Sequence, residues 1–179
     1  MDIERAVVEF GAEAVLRYRG MAETRHDNEI PASFLRGFVA SRLHDRFRCP
    51  VHVDRLYTAI ALDLGVSITP DLVTVLGTGR ADVALYAEGR PSALIALEIF
   101  DAVTPLPSVG SAIDKMQILA RLGDLRVLIG LMVCPIVVSL EARIERIHDA
   151  FGGNMFVGER QLSRDQQWQW CFACASALP

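Results

Sequence analysis

Two carboxylates in this chain sit in stretches where carboxylates are rare. Asp82 interrupts "RADVALYA" and Glu98 interrupts "SALIALEIF", and both stretches are otherwise largely apolar. An ionised acid in such a run needs a partner, because taking its charge out of water is expensive. Two acids on neighbouring strands can share one divalent cation. Their oxygens are hard donors, and the ion offsets the repulsion that would otherwise raise one pKa. A cation so held polarises a phosphate and lowers the pKa of a bound water, as phosphodiester hydrolysis requires. Simpler partners suit the same residues. An Asp after a glycine turn caps backbone amides at a sheet edge, and Glu98 suits a buried ion pair with an arginine such as Arg80.

The elements that must position these acids follow from hydrophobic period. "RADVALYA" alternates, with Asp82, Ala84 and Tyr86 on one face and Val83 and Leu85 on the other. "EGRP" is a turn signal, and "SALIALEIF" is the next strand, with Glu98 and Phe100 on one face. "SAIDKMQILARLG" reads as a helix whose inward stripe includes Ile113, Met116, Leu119 and Ala120. At about 100° per residue, Lys115 and Gln117 fall on opposite edges of that stripe. "LRVLIGLMVC" is apolar throughout, as a strand inside a sheet would be. "SLEARIERIHDAF" is helical and "NMFVG" a short strand.

Upstream, "IERAVVEFGAEAVLRYRG" has helical spacing. "DNEIPASFLRGFVASRLHDRF" reads as a second helix, capped at Asn28 with Pro31 in its first turn. "VDRLYTAIALDLG" is a third, shorter helix after an extended "CPVHV", and "DLVTVLG" is strand-like. The tail "QWQWCFACASAL" fits a strand, with Trp168, Trp170 and Phe172 alternating. It also fits a helix entered through a Ser163–Gln166 capping box. Helices, three strands, helix, strand, helix and strand predict a three-layer α/β sandwich on a mixed central sheet, one domain over residues 1–179.

Net charge is −4, and the excess is local: residues 61–120 hold seven acids and three bases, while the flanks balance. That concentration suits a cation site, whereas the overall acidity argues against strong non-specific DNA binding. The longest apolar stretch, "VLIGLMVCPIVVSL", is too short to span a bilayer and holds Pro135. "MDIERAVVEF" lacks a basic and then apolar leader, so a cytoplasmic protein without membrane contact is expected. Cys171 and Cys174 form the lone C-x-x-C, with no second pair to complete a zinc site. His26, His44, His52 and His148 are scattered, and "GTG" at 77–79 is turn chemistry. The aromatic, apolar "WQWCFACASAL" is expected to pack on its own domain or to form a homodimer contact.

"RADVALY", "LIALEIF" and "AIDKMQILARL" together resemble the PD-(D/E)xK nuclease superfamily over roughly residues 25–135. The resemblance implies a restriction-endonuclease-like core, Mg²⁺ or Mn²⁺ as cofactor and DNA as substrate. It implies Asp82 and Glu98 as metal ligands and Gln117 as a helix glutamine lining the site. It also implies a further acid, for which Glu29, opening the first core helix, is the candidate and Asp54, near the first strand, the competitor. The family's lysine two residues beyond the second acid is replaced by Phe100. Some members carry that basic residue on the next helix, where Lys115, the only lysine of the chain, lies. Two functions follow. One is a magnesium-dependent DNA phosphodiesterase with a relocated lysine. The other is a degenerate member keeping the fold as a nucleic-acid or protein binding module.

Overall fold

The structure, a computed structural model, describes residues 2–22, 27–100, 106–134, 139–151 and 155–177. Asp2 caps the first helix, α1 (Ile3–Met21), by accepting from the Arg5 amide at 3.1 Å. Its buried face, Ile3, Ala6, Val7, Phe10, Gly11, Ala14 and Val15, follows the helical repeat. Residues 27–29 form a single 3₁₀ turn. The next helix, α2 (Ala32–Phe47), starts after Pro31 rather than at Asn28. Proline lacks an N–H and fixes its own φ, so it stands before the helix without breaking it.

Strand β1 (Val51–Leu56) claims the first half of the segment expected to be helical, leaving α3 (Tyr57–Asp63) as two turns. The stretch read as strand-like is helix α4 (Pro70–Leu76). Thr69 caps it by accepting from the Leu72 amide at 3.2 Å, Pro70 opens it, and Gly77 (φ +58°) ends it. These end signals outweigh the β-branched Val73, Thr74 and Val75.

Strands β2 (Arg80–Ala87) and β3 (Arg90–Phe100) form a hairpin, turned by Glu88 and Gly89 at positive φ. Helix α5 (Leu106–Gly123) crosses over to β4 (Arg126–Val133), which pairs with β3 in parallel. Then come α6 (Leu140–Phe151), the short strands β5 (Met155–Val157) and β6 (Gln161–Leu162), and β7 (Gln169–Ala177). The main path of the sheet is β1-β2-β3-β4-β7-β5, with β6 on β7. All pairs but β3–β4 are antiparallel.

One core lies between the sheet and α1–α2, built on Val83, Leu85, Ile95, Leu97 and Phe172. The other lies between the sheet and α3–α6, built on Ala84, Tyr86, Leu94, Ala96 and Phe100. The molecule is thus a three-layer α/β sandwich on a mixed sheet. Helix α1 approaches the sheet so closely that a Cβ on Gly11 would meet the Phe172 ring at 2.4 Å.

The tail is β7, not a helix. Trp170, Phe172 and Cys174 face one core and Cys171 and Ala173 the other. The segment expected to pack on its own domain or to form a dimer contact is interior to its own sheet, with Trp170 to Ala175 buried. Cys171 and Cys174 are buried on opposite faces, so the C-x-x-C cannot chelate as a pair. Among the described residues no helix is long and apolar enough to cross a membrane.

Candidate functional site

Asp82 and Glu98 stand on adjacent central strands toward the same end of the hairpin. Val83 pairs with Ile95 and Ala84 with Leu94. Continued one step, that register sets Asp82 level with Ala96, and Glu98 lies two residues further along β3. The acids are therefore diagonal rather than directly opposite. Diagonal neighbours are about 7–8 Å apart at the backbone, within reach of a glutamate.

The Asp82 carboxylate does structural work at this end. Its Oδ2 accepts from the Leu97 amide at 2.7 Å, so a side chain extends the ladder beyond Val83–Ile95. This is the backbone-capping role an Asp at a sheet edge was expected to play. Its Oδ1 lies 2.8 Å from Nε of Arg36, near the start of α2. The same guanidinium donates through Nη1 to Oδ1 of Asp54 at 3.0 Å. Asp54 has left-handed backbone (φ +52°), a conformation that aspartate tolerates better than most residues. Arg80, the partner expected for Glu98, instead donates to the Asp54 carbonyl at 2.8 Å.

Burial pushes the Asp82 carboxyl above its ordinary range. The Leu97 amide and the Arg36 charge act against that, while Asp54 adds to it. Glu98, half-buried, is also raised, first by burial and then by the charge of Asp82, with Arg36 opposing. The Tyr57 hydroxyl is pushed up to about 12 by burial and by Asp82. Two desolvated carboxylates thus repel one another and share one guanidinium. Their hard oxygen donors fit a divalent ion of the Mg²⁺ or Mn²⁺ type, whose charge would relieve that repulsion.

The other expected site residues lie as follows. Lys115 is half-buried on α5, and its Nζ lies above Gly77, 3.9 Å from where a Cβ would be. Gln117 is half-buried on the same helix, and Glu29 is exposed in the turn before α2. Among the described residues no three His, Cys, Asp or Glu side chains gather as a metal centre.

Two arginines at this end were missed by the sequence reading. One is Arg36. The other is Arg143 of α6, buried, with its guanidinium carbon 4.2 Å from the centre of the Phe100 ring. Arg143 also donates to the Cys134 carbonyl at 2.7 Å. A signal for Arg143 existed: it shares the inward spacing of Leu140 and Ile147. Arg36 carried none, because it lies off the Leu35–Val39–Leu43 stripe. Compared with family models, curated proteins and solved structures, the chain matches none.

Proposed function

We propose that this protein is a divalent-metal-dependent DNA phosphodiesterase of the restriction-endonuclease-like type, acting in the cytoplasm. The observation that carries the reading is the pair Asp82 and Glu98, two desolvated acids on adjacent strands sharing Arg36 as counter-charge. Asp82 and Glu98 would hold the ion, and Asp54 stands beside them as the carboxylate that binds the same Arg36 guanidinium. A bound Mg²⁺ or Mn²⁺ would supply phosphate polarisation and a more acidic water. Lys115 would position the attacking water or the phosphate from α5. The test is nicking of supercoiled plasmid with Mg²⁺ or Mn²⁺. Asp82→Asn, Glu98→Gln and Lys115→Ala should each lower the rate about 10²-fold or more. A wild type that neither nicks nor binds Mn²⁺ overturns the reading.

A second reading rests on Phe100. The position where the resembling family places its lysine is an apolar ring beneath a buried arginine. That arrangement favours a nuclease-type fold kept for binding nucleic acid or protein. Mn²⁺ binding without nicking, together with retention of labelled DNA, would select it.

A further inference from the structure

Arg36 makes two unequal contacts. To Asp54 it makes a directed hydrogen bond, Nη1 to Oδ1 at 3.0 Å. To Asp82 it makes a close charge contact, Nε to Oδ1 at 2.8 Å, that is not a directed hydrogen bond. Among the described residues the buried Nε–H has no hydrogen-bond acceptor. A charge-assisted hydrogen bond is worth roughly twice a neutral one, and it needs alignment that the Asp82 contact lacks. The Asp82 oxygen facing Arg36 is consequently held by charge alone. Its other oxygen is fixed by the Leu97 amide, so the carboxylate stays in place whatever faces Oδ1.

We infer that Arg36 is a built-in counter-cation for the acid pair, anchored on Asp54 and displaceable from Asp82. The inference rests on the metal-site reading above. Its content is that Arg36 sets how weakly the site holds a divalent ion. With no ion present the guanidinium partly neutralises Asp82 and Glu98. An incoming ion takes the Asp82 oxygen without breaking a directed hydrogen bond, but meets a positive charge still tethered to Asp54. The guanidinium side chain is 28% exposed, which leaves it room to turn toward solvent or toward a phosphate as the ion enters.

The experiment is calorimetric titration of the full-length protein with Mn²⁺, read as a dissociation constant, with circular dichroism as the check on folding. Arg36→Gln removes the charge, and Mn²⁺ binding should tighten about tenfold or more. Arg36→Lys keeps a charge and should stay within about threefold of wild type. Arg36→Met, which keeps the aliphatic reach, replaces Arg36→Gln if the latter does not fold. Failure of both neutral variants to fold overturns the inference, because a displaceable counter-ion must be dispensable for folding. If Arg36→Gln binds Mn²⁺ no more tightly than wild type, while Asp82→Asn abolishes binding, the inference falls and the metal site stands. If neither wild type nor Arg36→Gln binds Mn²⁺, both fall.

Discussion

Placing a lysine at Phe100 is the obvious attempt to recreate the resembling family's missing group, and the structure says it is costly. Phe100 is 5% exposed within the α3–α6 core, and the Arg143 guanidinium lies 4.2 Å from its ring centre. Removing a buried phenylalanine down to alanine costs about 3–5 kcal/mol. Lysine keeps a four-carbon stem, so about 2 kcal/mol is the share charged here. The lost cation–π contact adds about 1 kcal/mol. Two positive charges about 5 Å apart at an effective dielectric of about 20 repel by about 3 kcal/mol. The total for Phe100→Lys is about 6 kcal/mol, a fall in Tm of roughly 12–24 °C for a domain of this size. Guanidinium chloride unfolding followed by circular dichroism measures it. Repeating it in an Arg143→Met background removes the cation–π contact and the repulsion together, with an expected coupling of about 4 kcal/mol. A Phe100→Lys protein within about 1 kcal/mol of wild type, or strict additivity of the two changes, refutes the reasoning.

Two further perturbations test the frame around the site. The buried Asp27 carboxylate accepts from the Trp170 indole and the Arg164 amide, each at 3.1 Å, and faces Arg19 at 3.7 Å. Asp27→Ala should cost about 3–5 kcal/mol in denaturant unfolding, and a loss below about 1 kcal/mol would show those donors to be satisfied otherwise. Burial alone would raise the Asp63 carboxyl, but the Tyr86 hydroxyl and Arg55 outweigh it and hold it below its ordinary value. Stability from a lowered acid is complete above its unfolded value near about 4 and lost as pH falls through its folded value. The Tm gap between wild type and Tyr86→Phe should therefore be full at about pH 6 and smaller at about pH 3. A gap that is constant or grows on acidification contradicts the assignment.

The parts of the fold legible in the sequence were those where one periodicity ruled a segment. Strands β2, β3 and β4 read correctly because their alternating or continuous apolar runs match what a two-sided sheet buries. Helix α4 did not, because Val73, Thr74 and Val75 favour strands while Thr69, Pro70 and Gly77 set the ends. Strand β1 was obscured because it runs into α3 without a break, Tyr57 following Leu56 directly. The carboxylates were visible as polar interruptions of apolar strands. Their counter-charge was not. Which arginine meets Asp82 depends on how α2 crosses the rim of the sheet, and no local pattern records that crossing. Residues 101–105, which follow β3, lie outside the described part of the chain.

The position of β7 in the sheet has a kinetic consequence. It lies between β4 and β5, so β4 has only β3 beside it until a strand from well downstream arrives. Until then β4 presents one row of unpaired amides and carbonyls along a strand that is apolar on both faces, from Val127 to Val133. Such an edge templates pairing with other chains. Closing it demands contacts distant in sequence, which form slowly. A refolding chain in which the hairpin, crossover helix and β4 assemble before β7 docks would expose that open edge. Aggregation during refolding should then rise with protein concentration and with any change that delays docking of Trp170 and Phe172, even where the finished molecule is just as stable.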